Sequence, residues 1–205
     1  MRSDRIRQLT VAALIAACLA VTSWIAALLP ASVPLTLQTF FVVLAALLLR
    51  PRWATASMLC YVALGALGLP VFAGGKGGAA VLVGPTGGYL IAFVIAAGLG
   101  ALIAGRPAWG TRATGAGRRV RDTRGAGRRR LWREVLAAAA MILIVDALGT
   151  LWLAASTHLP LTAALIAGVL PFIAGDLIKA AVALATARLL ARHLPGGATS
   201  VLDGS

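Results

Sequence analysis

Three ionisable residues interrupt otherwise apolar segments of this sequence: Asp146, Asp176 and Lys179. An ionisable side chain at the centre of a membrane-spanning helix costs roughly 2.5–3.5 kcal/mol on insertion scales, so each one needs a reason to be there. Asp176 and Lys179 are three residues apart and share one helical face. They follow Pro171 and Gly175, where an acidic side chain also meets the positive end of a helix dipole. One reading is a structural pair that neutralises itself. The preferred reading is a ligand site, in which the carboxylate accepts hydrogen bonds and the ammonium meets an anion or a carbonyl. Asp146 lies in mid-segment with no partner evident from spacing. A proton relay is one role open to it.

Catalytic chemistry finds little support. An intramembrane enzyme needs a nucleophile with its base, or a metal cluster. His158 and His193 both fall outside the apolar segments, and the chain has no HExxH or Ser/His arrangement. Cys18 and Cys60 lie inside apolar runs and read as small hydrophobes. The glycine-rich run GGKGG, Gly74–Gly78, has no Ser or Thr after Lys76 and no preceding strand, so it is not a phosphate loop. Its glycines fit a gate or re-entrant loop, because irregular backbone at membrane depth must line a cavity or be buried in protein. No metal, cofactor or enzyme activity is expected.

The elements that must position the ionisable residues follow from charge patterning. Of 205 residues, 60% are hydrophobic and 12% charged, against about 25% charged in a soluble domain. Charge-free stretches run from Leu9 to Arg50, Trp53 to Gly75, Gly77 to Gly105, Val135 to Val145 and Ala147 to Gly175. A helix crosses the roughly 30 Å hydrocarbon core with about 20 apolar residues. The pattern predicts an all-α polytopic membrane protein, one domain over 1–205, with six transmembrane helices. They are placed at about Gln8–Leu29, Leu35–Leu49, Trp53–Leu69, Gly88–Ala104, Glu134–Ser156 and Leu161–Arg192. In the last, Pro171 separates a short entering segment, Leu161–Leu170, from the main helix, Phe172–Leu190. The first is too long for an ordinary signal peptide and reads as a retained span.

The net charge of +13 suggests nucleic acid until its placement is considered. All 17 arginines lie outside the apolar runs or at their ends, ten of them between Arg106 and Arg133. With six spans and both termini cytoplasmic, every arginine falls on the cytoplasmic side, as the positive-inside rule requires. No nucleic-acid partner is expected. The segment at about 105–133 reads as a basic cytoplasmic loop near lipid. Polar residues gather at the opposite helix ends: Thr36, Gln38 and Thr39 before the second span, then Lys76, Thr86 and Tyr89. With Phe72, Phe172 and Trp152 as aromatic walls, they suit a small amphipathic ligand in the outer leaflet. Ala12, Ala16 and Ala20 form a four-residue stripe on the first helix, with Ala13 and Ala17 beside it. Such stripes permit close helix contact, internal or with a partner.

Three blocks carry a resemblance: VPLTLQTFFVVLAALLLR at Val33–Arg50, LPVFAGGKGGAAVLVGPTGGYLIAF at Leu69–Phe93 and PFIAGDLIK at Pro171–Lys179. In this order they resemble the BioY family, the biotin-binding S components of energy-coupling-factor transporters. The likeness extends from the first helix to the last. The resemblance implies a six-helix substrate-binding fold with biotin held near the outer face. It implies that Asp176 and Lys179 contact biotin and that Tyr89 and Thr86 line the pocket; Gln38 and Lys76, at the same outer helix ends, are read as further ligand contacts. It implies that Ala12, Ala16 and Ala20 meet an energy-coupling transmembrane subunit, which carries two ATPases, in the plasma membrane. A carrier for another small vitamin, or a transporter working without the coupling module, is the alternative. The arginine-rich loop and Asp146 depart from the family pattern.

Overall fold

A computed structural model describes residues 2–24, 37–105 and 123–193 of the chain. Among these residues the chain is helical, with one isolated β-bridge between Phe72 and Lys76. The helices are α1 (Arg2–Ser23), α2 (Gln38–Leu48), α3 (Pro51–Ala66), α4 (Ala80–Val83), α5 (Gly87–Ala104), α6 (Thr123–Thr157), α7 (Leu161–Gly168) and α8 (Ile173–His193).

The boundaries obey local chemistry. Pro51 occupies the first turn of α3, where its missing N–H costs nothing. Gly105 ends α5 with φ 84°, a left-handed conformation that glycine adopts without a Cβ penalty. Pro160 precedes α7. Pro171 stands in the break between α7 and α8, which are bent by 47°. Both halves of the sixth segment thus form as the sequence predicts.

One expectation is corrected. The basic segment before Glu134 is not wholly a loop: α6 begins at Thr123 and runs 35 residues. Arginine is a good helix former, and Arg130 pairs with Glu134 one turn on, at 2.7 Å. Residues 106–122 of that segment lie outside the described residues. Helix α2 has 11 residues, about 16 Å of helix, and starts later than the predicted segment Leu35–Leu49, whose first two residues lie outside the described ones. Nine of its side chains are buried, and it packs against α1, α3, α5, α6 and α8. A short helix that is apolar all round belongs in a core.

Among the described residues, α1, α5 and α6 contain segments long and apolar enough to cross a membrane, and the bent α7–α8 pair makes a fourth. Their outward faces carry exposed Leu14, Val21, Leu102, Leu136, Leu143, Leu151, Ile178 and Val182, as lipid contact requires. The inward faces hold small residues. Gly100 lies against Met141, and Gly65 lies under the Phe72 ring with no room for a Cβ. Lipid supplies no hydrophobic drive between helices, so such close approach is what holds them together.

Hydrogen bonds identify the two ends of the bundle. At one, the Arg50 backbone N–H donates to Gln8 Oε1 (3.0 Å), Arg133 Nε donates to the Ile103 carbonyl (3.0 Å), and Arg188 binds Glu134 (2.8 Å). These contacts gather the start of α1, the α2–α3 turn, the end of α5, the basic part of α6 and the end of α8. At the other end, Trp24 Nε1 donates to the Pro70 carbonyl (2.7 Å) and Trp152 Nε1 to the Gly84 carbonyl (2.9 Å).

Candidate functional site

The second and third sequence blocks meet at the end away from the arginines. Gly87 and Gly88 open α5. A Cβ at Gly87 would strike the Leu82 carbonyl, and one at Gly88 the Trp152 side chain. Glycine at both positions lets α5 start against α4 and against α6. Tyr89 follows, its ring lying on Gly149 of α6 and its hydroxyl donating to the Gly168 carbonyl of α7 (3.2 Å). Beside it the Thr150 hydroxyl is fully buried and interacts with the Tyr89 phenol.

Asp146, Gly149 and Thr150 are spaced i, i+3, i+4 and lie on one face of α6. Asp146, without a partner in the sequence, lies close enough to Asp176 and Lys179 to interact with both charges. Tyr89 in turn feels Asp146 and Asp176. On α8, Lys179 Nζ donates to Asp176 Oδ1 at 3.0 Å, and the Asp176 side chain is 7% exposed. Three helices, α5, α6 and α8, thus bring two carboxylates, one ammonium, a phenol and a hydroxyl into one region. The Phe172 side chain is buried just before Asp176. Such a set of donors and acceptors in apolar surroundings can orient a small polar group. No group of three His, Cys, Asp or Glu suited to a metal occurs among the described residues.

Gln38 lies in a different cluster. Its Nε2 donates to Ser23 Oγ (3.1 Å) and to Tyr61 OH (2.9 Å). Ser23 passes its proton to the Leu19 carbonyl (2.7 Å) and Tyr61 to the Val71 carbonyl (3.0 Å). This closed network ties α1, α2, α3 and the following loop. Thr39 is buried beside it. Lys76 is exposed on a short hairpin closed by the Phe72 N–H to Lys76 carbonyl bond (2.9 Å). Thr86 stands at the start of α5, half-buried, with no side-chain capping bond. Thr36 lies outside the described residues. Ala12 and Ala16 point into the protein with Ile15 and Leu19, and Ser57 Oγ donates to the Ala12 carbonyl at 2.7 Å. Ala20 is half-buried, whereas Ala13 and Ala17 are exposed.

The sequence reading missed Glu134. It is buried, yet charged groups hold it from two helices: Arg130 Nε at 2.7 Å and Arg188 through Nε (3.0 Å) and an Nη (2.8 Å). A lone acid between arginines and an apolar run was the available signal.

Comparison with known proteins adds a name to the geometry. A probable biotin transporter BioY of Pyrococcus horikoshii is 40% identical over 164 residues, covering 80% of this chain and 82% of its own. The biotin transporter BioY2 of Lactococcus lactis is 36% identical over 88% of this chain and 87% of its own, and that of Rhodobacter capsulatus 36% over 92% and 95%. A solved crystal structure, described as the S-component for biotin from an ECF-type ABC transporter, superposes with a TM-score of 0.72 at 29% identity, covering 96% of each chain. These relatives are named as transport proteins, and with the apolar helices described above they place this chain in the plasma membrane as a multi-pass protein. The sequence model of the BioY family matches residues 1–196, and the chain belongs to that family.

Proposed function

We propose that this chain is the biotin-binding component of an uptake system, taking biotin into the cluster between α5, α6, α7 and α8 and delivering it inward. The buried Asp176–Lys179 pair carries the reading. A carboxylate accepts the ureido N–H groups of biotin, and an ammonium meets the ureido oxygen or the valerate carboxylate. Tyr89 and Thr86, at the start of α5, line the same region. Lys76, on its hairpin, approaches from the outer surface. Gln38 supports the site through α2, which packs against α8.

Six segments cross the membrane in this proposal, with both termini cytoplasmic. The gathering of arginine-bearing ends at one end of the bundle supports that orientation. The chain has no phosphate-binding loop, so ATP hydrolysis belongs to two partner ATPases acting through a transmembrane coupling subunit. That subunit meets the outward face of α1, where Ala13 and Ala17 are exposed and Ala20 half-exposed, rather than the buried Ala12 and Ala16.

Calorimetric titration of biotin into the purified detergent-solubilised protein tests the assignment. The expected result is tight one-site binding, weakened at least tenfold in both Asp176→Asn and Lys179→Ala. Full affinity in both variants sinks the site. Failure of a well-folded wild type to bind biotin sinks the substrate.

A further inference from the structure

The helix α6 is too long for the membrane it crosses. Its 35 residues extend about 52 Å, against a hydrocarbon core of about 30 Å. The apolar part from Val135 to Thr157 is about 34 Å long and already fills that core. The part from Thr123 to Glu134 therefore projects beyond the hydrocarbon at the arginine-rich end. It does not project as an undirected spike. Arg130 and Arg188 fasten Glu134, and Arg133 is fastened to the end of α5.

Those contacts engage Arg130 and Arg133 but not Arg128 and Arg129. The latter two are exposed. One turn further along, Trp132 is 62% exposed, although it is the largest apolar side chain on this helix turn. Exposed tryptophan is characteristic of the membrane–water boundary. Residues 128, 132 and 136 recur at i, i+4, i+8 on a single face, with Arg129 adjoining. The same face continues to exposed Leu136 and Leu143, and between them lies exposed Ala139. Two guanidinium groups, an indole and an apolar track thus stand in the order of a phospholipid's phosphate, glycerol and acyl chain.

We propose that this face of α6 is a binding site for an anionic phospholipid, whose headgroup is held by Arg128 and Arg129 above Trp132. Charge complementarity selects the headgroup. Each arginine near an anionic leaflet contributes about 1 kcal/mol, and guanidinium takes phosphate oxygens in bidentate fashion. A phosphocholine carries a compensating cation and gains less.

Native mass spectrometry of the full-length protein in neutral detergent, with equimolar phosphatidylglycerol and phosphatidylcholine of matched chains, tests the site. Wild type is expected to retain phosphatidylglycerol preferentially. Arg128→Gln with Arg129→Gln should lower that preference roughly 20- to 30-fold, the product of about fivefold for each arginine. Arg118→Gln with Arg119→Gln removes the same charge from the neighbouring sequence and should leave the preference within about twofold of wild type. Trp132→Ala should weaken retention of both lipids. An undiminished preference in the first variant overturns the proposal. So does an equal loss in the second, which would mean net charge rather than a site. Displacement of the lipid by millimolar inorganic phosphate would also overturn it, since the groove would then be a general anion site. Biotin titration of the first variant separates this outcome from the transport reading, because Arg128 and Arg129 lie at the opposite end from the biotin cluster.

Discussion

Substituting one glycine in α6 should have opposite effects depending on which glycine is chosen. In an exposed helix interior, Gly→Ala stabilises by roughly 0.5–1 kcal/mol, because alanine restricts the unfolded backbone and favours helix. Gly127 is such a position: nothing lies within 4 Å of a Cβ built there. At Gly149 the new methyl would meet Cδ1 and Cε1 of the Tyr89 ring. Helix α6 packs extensively on α5, so the ring must swing rather than the helices part. Overpacking of this kind costs about 1–3 kcal/mol. A displaced ring also loses the bond from its hydroxyl to Gly168, about 0.5–1.5 kcal/mol. After the propensity gain is subtracted, Gly149→Ala should destabilise by about 1–3 kcal/mol, while Gly127→Ala stabilises by up to about 1 kcal/mol.

Thermal unfolding in one detergent, followed by helical circular dichroism, measures both shifts. Biotin titration of Gly149→Ala should show at least a tenfold loss, since Tyr89 adjoins the proposed site. Tyr89→Leu in the Gly149→Ala background should recover part of the stability but not the affinity, giving a coupling energy of the size expected for residues in contact. A Gly149→Ala protein at least as stable as wild type, with Tyr89 still required for binding, would refute the packing argument.

Two further substitutions probe the elements outside the site. Tyr61→Phe leaves the Val71 carbonyl without its donor and one Gln38 N–H without its acceptor. It should cost about 1–3 kcal/mol in unfolding while leaving biotin affinity within about twofold, because that network lies apart from Asp176. Glu134→Ala frees Arg130 and Arg188, whose side chains are 44% and 39% exposed. Water takes over part of their solvation, so the expected loss is about 1–2 kcal/mol, smaller in molar salt than at low ionic strength. The unfolding midpoint at two salt concentrations checks it.

Helix existence was legible in the sequence because the membrane imposes a length on apolar runs, and because Pro51, Gly105, Pro160 and Pro171 mark where helices start and stop. The depth of polar residues was legible for the same reason. Direction around the helix axis was not. Gln38 and Tyr89 both stand at helix starts away from the arginines, and only packing sends the first toward Ser23 and Tyr61 and the second toward Gly149 and Gly168. The alanines of α1 make the point sharply. Ala12 and Ala16 face inward with Ile15 and Leu19, while Ala13 and Ala17 face outward with Leu14 and Val21. Either face is equally apolar. In water, size and polarity would separate them; in lipid, apolar side chains gain nothing by burial, and small residues suit either a neighbouring helix or a partner. The start of α6 escaped notice for another reason. Arginine was read there as charge in a loop, although it is also a strong helix former.

The two polar clusters at the end away from the arginines differ in what they leave unused, which suits the first to a strut and the second to the proposed site. In the Gln38 cluster both amide hydrogens, the Ser23 proton and the Tyr61 proton all have acceptors. A ligand reaching Gln38 would have to break good hydrogen bonds in order to make its own, and the exchange would bring little net gain. In the α5–α8 cluster, Lys179 has three N–H groups and directs one to Asp176. Asp176 accepts on Oδ1 and has a second oxygen, and the buried Thr150 hydroxyl stands beside the Tyr89 phenol. Buried polar groups in native proteins are nearly always satisfied, so spare capacity in a dry place needs explanation. A ligand rich in N–H and C=O groups supplies the missing partners without displacing existing ones. Asp146, one turn before Thr150 on the same face of α6, extends that capacity toward the Asp176–Lys179 pair.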